Sequence, residues 1–150
     1  MRREREQRSQ NPIFEKRVKV TIGPELIDPI FSHVDNLDQL KLLQDTRKRV
    51  MNEHGFGLQM LQEHDLLPFL IENHSQHKGQ VLPGEVEIQI GITTSLSRII
   101  FHQQIIKDNN VLVDTQCEYI LVNDKGRPQR IPKEFVERLH TAALGHSSTS

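Results

Sequence analysis

The chain has 150 residues, and its 19 Lys and Arg residues nearly balance its 20 Asp and Glu residues. This length fits one domain with a substantial core, and the balanced charge gives no general electrostatic reason for nucleic-acid binding. No apolar stretch approaches the roughly 20 residues that a membrane-spanning helix needs. The single cysteine, Cys117, cannot form an internal disulfide, so we expect a reducing compartment, the cytoplasm.

An alternating pattern opens the folded part of the chain. Apolar side chains at even positions between Phe14 and Ile22 predict a half-buried strand, which Gly23 and Pro24 end. Further along, leucines and valines at helical spacing predict one long helix over residues 37–54, with Gly55 as its stop. At 1.5 Å per residue this helix would be about 27 Å long, enough to cross a sheet.

The second half of the chain predicts mostly strands. A short helical turn at 58–64 precedes apolar or alternating segments that we assign to strands, at 66–73, 85–92, 99–106 and 111–122. Pro132 then opens a short helix over 133–144. A long helix followed by consecutive strands predicts an antiparallel sheet with the helix on one face, an α+β domain. We expect this single domain to span 13–144, between disordered tails at 1–12 and 145–150.

The loop that leads into the long helix carries the candidate chemistry. It places Asp28, His33 and Asn36 near a helix N-terminus, whose unsatisfied N–H groups and partial positive charge stabilise nearby negative charge. A carboxylate there can act as base or nucleophile in a hydrolysis, with backbone N–H groups binding the oxyanion. The same residues also fit a capped loop without chemistry. For Asn36 we favour the capping role, and Asp35 beside it is also a good cap.

Four short motifs follow one another between residues 16 and 139. They are the loop segment Phe31-Ser32-His33-Val34-Asp35-Asn36, the helical Asp45-Thr46-Arg47, Ile71-Glu72-Asn73-His74 with Gly84-Glu85, and the C-terminal run from Val122 to Pro132. In order and spacing they resemble the 4-hydroxybenzoyl-CoA thioesterase-like family, which has the Phe-Gly-His-Val-Asn-Asn signature and ends on Val-Asp-x-x-Gly-Arg-Pro-x-x-Ile-Pro. The resemblance implies a hotdog fold, in which the sheet wraps around a central helix.

This resemblance also implies an activity, the hydrolysis of an acyl-CoA or acyl-carrier thioester. Such enzymes are homodimers or homotetramers with sites at subunit interfaces, and they use no metal and no bound organic cofactor. Coenzyme A enters with the substrate, and its phosphates could meet Lys78 or Arg98, or else Arg127 or Arg130, as cationic partners. Each of these four is also an ordinary solvated residue. The scattered histidines form no tight ligand set, so we expect no metal site.

The loop departs from the family pattern at three positions: Ser32 replaces the usual Gly, Asp35 replaces the first Asn, and the third departure concerns the catalytic acid. The family's catalytic aspartate falls at Pro29, which offers no acid, no base and no N–H. Asp28 is one residue away, and we expect it to be the base or nucleophile, with His33 orienting the acyl group and N–H groups near Asn36 and Leu37 facing the thioester carbonyl. Two alternatives remain. Asp45 on the helix could supply the acid, or the domain could bind an acyl ligand or a partner protein without turnover. A dehydratase of related fold fits the motifs less well.

Overall fold

The computed structural model of the protein describes residues 12–149, with gaps at residues 28, 31 and 32. The described chain forms one antiparallel sheet with three α-helices, which confirms the predicted α+β class. The strands are β1 (Phe14–Ile22), β2 (Leu67–His77), β3 (Gly84–Ser95), β4 (Arg98–Lys107), β5 (Asn110–Val122) and β6 (Pro128–Gln129); the helices are α1 (Asn36–Glu53), α2 (Leu58–Glu63) and α3 (Lys133–Thr149). The predicted tail at 1–12 lies outside the described residues, apart from Pro12.

The five long strands lie in the order β1-β3-β4-β5-β2, with the short β6 paired to β5. Their register places apolar residues beside one another across the sheet: Ile88 pairs with Ile105, and Ile105 with Val113. All three are fully buried, because successive side chains on a strand alternate between the two faces and this face is covered. The core therefore lies between this inner face of the sheet and the helices.

Helix α1 matches the predicted long helix to within one residue at each end. Of the two predicted caps, Asp35 is the cap and Asn36 is not: the Asp35 carboxylate accepts a hydrogen bond of 3.1 Å from the N–H of Leu37. The backbone of Asp35 is extended, which lets its side chain turn back over the first turn, whereas Asn36 is already helical. Asn36 is thus the first residue of the helix and is exposed.

An aromatic cluster closes the end of the sheet next to β1. The rings of Phe14 and Phe56 meet edge to face with centroids 5.6 Å apart, and Phe56 meets Phe135 in the same way at 5.9 Å. Phe135 brings α3 onto this cluster, and all three rings are fully buried. Helix α3 begins at Lys133 as predicted and continues to Thr149, past the predicted end at residue 144.

Strand β2 is longer than the sequence pattern indicated. It continues to His77 rather than ending near residue 73, because its backbone remains paired with β5 as far as His77 opposite Val113. Its other side has no neighbouring strand in the described sheet, so β2 is an edge strand. None of the helices in the described part of the chain is long and apolar enough to cross a membrane.

Candidate functional site

The loop before α1 is held at its base by two backbone contacts. Ile27 and Val34 form an isolated antiparallel bridge, and the N–H of Val34 donates to the carbonyl of Val81 at 2.8 Å. Val34 is fully buried, whereas Pro29 and Ile30 are exposed. The two residues that flank this segment, Ile27 and Val34, therefore lie side by side.

The three predicted catalytic residues belong to this loop and to the start of α1. Asp28 lies outside the described residues, and His33 is half-buried one residue before Val34. Asn36 is exposed at the first position of α1. The N–H of Leu37, which we expected to face a thioester carbonyl, already donates to Asp35. The N–H groups of Asn36 and Asp38 are first-turn donors that this cap does not use.

A buried amide joins the loop base to the end of β2. Gln39 is only 2% exposed. Its Nε2 donates to the carbonyl of Val34 at 2.8 Å, and its Oε1 lies 2.9 Å from Nδ1 of His77. Because Gln39 Oε1 can only accept, His77 Nδ1 is the donor in this hydrogen bond. Hydrogen bonds thus connect the loop at Val34, the first turn of α1 at Gln39 and the end of β2 at His77.

Sequence reasoning missed Gln39 as a connecting residue, and it considered His77 only as one of the scattered histidines that form no metal site. One signal was present, since Gln39 lies four residues before the buried Leu43 and so occupies the inward face of α1. A polar residue on that face must find hydrogen-bond partners. Its partners are remote in sequence, so the pattern could indicate the need for them but not their identity.

Two grooves follow α1 along the side facing β5 and β2. The smaller, about 140 Å³, begins at Leu40, one turn from Asn36, and is bounded by Leu70 and Cys117. The larger, about 390 Å³ and mostly apolar, continues past Met51 to α2. Arg47 lines both grooves. An elongated ligand could therefore lie along α1 with one end near the helix N-terminus.

Two of the four cations predicted to meet coenzyme A phosphates, Lys78 and Arg98, lie beside carboxylates. Arg98 donates to a carboxylate oxygen of Glu118 at 2.9 Å, and Glu118 is buried. Side-chain alternation along β4 places Arg98 on the face opposite Phe101, which lines the larger groove. Lys78 follows β2 and lies 4.0 Å from Asp114. The phosphate-binding role of both residues stays a prediction.

Comparison with known proteins identifies solved structures of the same fold. No protein-family model matches the sequence, and no curated protein matches it. Solved structures do match: a protein from Staphylococcus aureus in complex with CoA superposes with a TM-score of 0.74 at 16% identity, covering 90% of this chain and 89% of its own. The chain has the hotdog fold. The expected likeness to hotdog thioesterases is confirmed at the level of fold.

Two further matches are described as thioesterases. A 1,4-dihydroxy-2-naphthoyl-CoA thioesterase from Synechocystis gives a TM-score of 0.73 at 12% identity, covering 85% of this chain and 96% of its own. A probable thioesterase from Bartonella henselae gives 0.67 at 20% identity, covering 79% and 99%. In the hotdog description α1 is the central helix, and the grooves lie between it and the sheet. Within the described ranges, no group of three or more His, Cys, Asp or Glu side chains is placed to hold a metal ion.

Replacement of Gln39 by Met should destabilise the protein. The variant leaves the buried carbonyl of Val34 without its side-chain donor, and a lost buried hydrogen bond of this kind costs about 1–3 kcal/mol. Urea denaturation measures the free energy of unfolding. Gln59→Met on the exposed surface of α2 is the matched control and should stay close to wild type. Equal stabilities for the two variants would contradict the connecting role of Gln39.

Acid should weaken the protein through Asp114. The hydrogen bond from His102, 2.7 Å long, holds the pKa of the Asp114 carboxyl below its ordinary value of 3.8, with Lys78 acting in the same direction and burial opposing them. The carboxylate therefore adds stability above pH 3.8 that is lost as pH falls through the lowered pKa. The free energy of unfolding in urea is measured at several acid pH values. It should fall less steeply with pH in Asp114→Asn than in wild type, whereas Asp45→Asn, at an exposed position of α1, should show the wild-type fall. An unchanged slope in Asp114→Asn would show that other carboxyls govern the acid response.

Proposed function

We propose that the protein hydrolyses an acyl-CoA or acyl-carrier thioester at the loop before α1. The observation that carries this proposal is the position of the grooves. They begin one turn from the helix N-terminus and run along the central helix, so a thioester carbonyl at Asn36 would have space for its acyl group. The fold is that of proteins described as CoA thioesterases. The His-Val-x-Asn half of the family signature at this place supports the same activity.

The proposed chemistry uses a carboxylate and the helix N-terminus. Asp28 either attacks the thioester carbonyl carbon directly or removes a proton from a water molecule that attacks it. The carbonyl oxygen becomes an oxyanion, which the N–H of Asn36 and the partial positive charge of α1 stabilise. One well-placed donor of this kind is worth about 3 kcal/mol. The carbon–sulfur bond then breaks and the thiolate takes up a proton, on the general-base route the one that Asp28 removed from water. On the direct route an acyl–Asp28 anhydride remains, and water hydrolyses it to the free acid and the Asp28 carboxylate. His33 orients the acyl group.

A second candidate function is acyl binding without turnover. It is favoured by one observation, the exposed Pro29 at the place where the family has its catalytic aspartate. Proline cannot act as an acid, base or donor. The fold and the grooves would serve a binding protein as well as an enzyme, so the two functions differ only in whether a carboxylate reaches the helix N-terminus.

The proposed assembly is a homodimer formed through β2. This edge strand carries four large apolar residues that are at least 40% exposed, Leu67, Phe69, Leu70 and Ile71. An exposed apolar edge strand invites pairing with another strand. Two copies of β2 can pair antiparallel about a two-fold axis, because such an interface is self-complementary. The partner's edge would then lie beside the grooves, since Leu70 lines the smaller one.

Replacement of Asp28 by Asn tests the catalytic role. The change removes the base or nucleophile and keeps the side-chain size, so kcat should fall by about 10²–10⁴-fold. Release of free thiol from a panel of acyl-CoAs measures it, with Asp38→Asn in the first turn of α1 as the control. An unchanged kcat in Asp28→Asn would remove Asp28 from the mechanism. Saturable acyl-CoA binding by the wild type without thiol release would establish the binding function instead.

Replacement of Phe69 by Asp tests the assembly. Phe69 is 58% exposed on β2, and a buried charge in the middle of an apolar interface would disfavour the dimer. Light scattering after size exclusion should show a monomer at concentrations where the wild type is dimeric. Leu96→Asp, at a position 79% exposed between β3 and β4, should leave the mass unchanged. A dimeric Phe69→Asp would place the interface elsewhere.

A further inference from the structure

Arg47 is a buried cation on the central helix. Its side chain extends from the inward face of α1, and the residue is 7% exposed. In the part of the chain that the structure describes, no carboxylate forms an ion pair with it. Burying a charge without a partner of opposite sign is unfavourable, and proteins seldom do so without a function. Its surroundings therefore indicate what could neutralise the charge.

The groups around Arg47 hold the guanidinium in place but leave donors unused. One nitrogen donates to Oε1 of Gln103 at 3.1 Å and another to the hydroxyl of Tyr119 at 2.9 Å. The guanidinium carbon lies 4.6 Å from the centre of the Phe101 ring. A guanidinium has five N–H donors, and these two neutral acceptors use only part of them. The aromatic contacts fix its orientation, which favours recognition of a planar anion.

The nearby thiol does not supply the missing negative charge. Cys117 lines the smaller groove together with Arg47. Burial raises the pKa of the Cys117 thiol above its ordinary value of 9.0, although Arg47 acts in the opposite direction. Among the described residues, this thiol is therefore no source of negative charge for Arg47.

The position of Arg47 along α1 sets its distance from the proposed reaction. It lies eleven residues after Asn36, which at 1.5 Å per residue is about 16 Å from the start of the helix. It is consequently too far to act on a thioester carbonyl at the helix N-terminus. It lies instead where the two grooves meet, and the larger groove around it is lined by apolar groups such as Met51 and Leu61.

We propose that Arg47 binds a carboxylate at the far end of a long acyl chain, so that the groove selects ω-carboxyacyl thioesters. This inference rests on the proposed thioester hydrolysis for its substrate. The apolar walls take the methylene chain, and the guanidinium forms charge-assisted hydrogen bonds with the terminal carboxylate. Arg47 is then a specificity-determining residue, since it contacts the substrate far from the reacting atoms.

The first test measures binding and requires no turnover. Decanoate and decanol share a chain and differ in the charged head group. By calorimetric titration, wild type should bind decanoate more tightly than decanol, and Arg47→Gln should lose about ten-fold or more of affinity for decanoate alone. Arg49→Gln, two residues along the same helix and exposed beside Glu53, is the matched control and should keep the preference. Arg47→Lys keeps the positive charge but loses the planar set of guanidinium donors, so this variant should keep part of the preference for decanoate over decanol.

The second test measures substrate preference in the wild type, so it does not depend on the folding of a variant. Dodecanedioyl-CoA should have a higher kcat/KM than dodecanoyl-CoA. Succinyl-CoA should have no higher kcat/KM than butyryl-CoA, because a short chain held at the helix N-terminus does not reach Arg47. A carboxylate preference that is independent of chain length would overturn the proposed position of the anion.

The outcomes separate this inference from the proposed function. Hydrolysis of dodecanoyl-CoA and dodecanedioyl-CoA with equal kcat/KM would overturn the role of Arg47 and leave hydrolysis intact. Decanoate binding that depends on Arg47, with no thiol released from any thioester, would support the carboxylate site and overturn hydrolysis. Equal affinities of wild type and a folded Arg47→Gln for decanoate would show that the guanidinium only braces α1 against the sheet.

Discussion

The packing of α1 on the inner face of the sheet is the constraint on which the rest of the molecule depends. This interface is apolar except for a few buried polar side chains, and each has partners that only one alignment of helix and sheet provides. Gln103 shows this most clearly: its Nε2 donates to the carbonyl of Leu43 at 2.8 Å while its Oε1 accepts from Arg47. Apolar contacts alone would tolerate sliding or rotation of the helix. The hydrogen bonds would not, because each displaced group would be left buried and unpaired.

This alignment connects the two ends of the proposed site. At the start of α1, Gln39 ties the loop base to the end of β2; two turns later, Arg47 faces the aromatic rings of Phe101 and Tyr119. Both contacts use the inward face of one rigid helix. The separation between the helix N-terminus and the guanidinium is thus fixed by helical geometry and not by loops, which is a suitable basis for measuring the length of a bound chain.

Helices and strands could be predicted from the sequence where their apolar residues repeat with the period of the buried face. β1, α1 and the start of α3 agree with the sequence pattern because their apolar residues repeat at the period of one covered face. β2 was predicted too short, since its last residues are held by backbone pairing with β5, which leaves no apolar repeat. The sequence predicted both Asn36 and Asp35 as caps of α1 and could not decide between them. Both residue types cap well, and only the backbone angles decide between them.

The site was less predictable than the fold because its contacts join remote residues. The pairing of Gln39 with His77 crosses 38 positions, and that of Arg47 with Tyr119 crosses 72. No local pattern encodes such partners. One feature was predictable. Side chains alternate between the two faces of a strand, so Arg98, three residues before Phe101, lies on the face of β4 that is turned away from α1. Asp28, on which the proposed hydrolysis depends, lies outside the described residues, and its role remains a proposal.

The bridge between Ile27 and Val34 has a consequence for how this domain can change over evolution. Because both ends of the intervening segment are fixed to the body, its length and composition can vary without moving α1, and the entropy of closing a loop rises only slowly with added residues. A residue can be gained, lost or shifted by one position there while the helix, the sheet and the grooves keep their geometry. New reactivity could therefore arise in this protein by replacing a few loop residues, with the scaffold left unaltered.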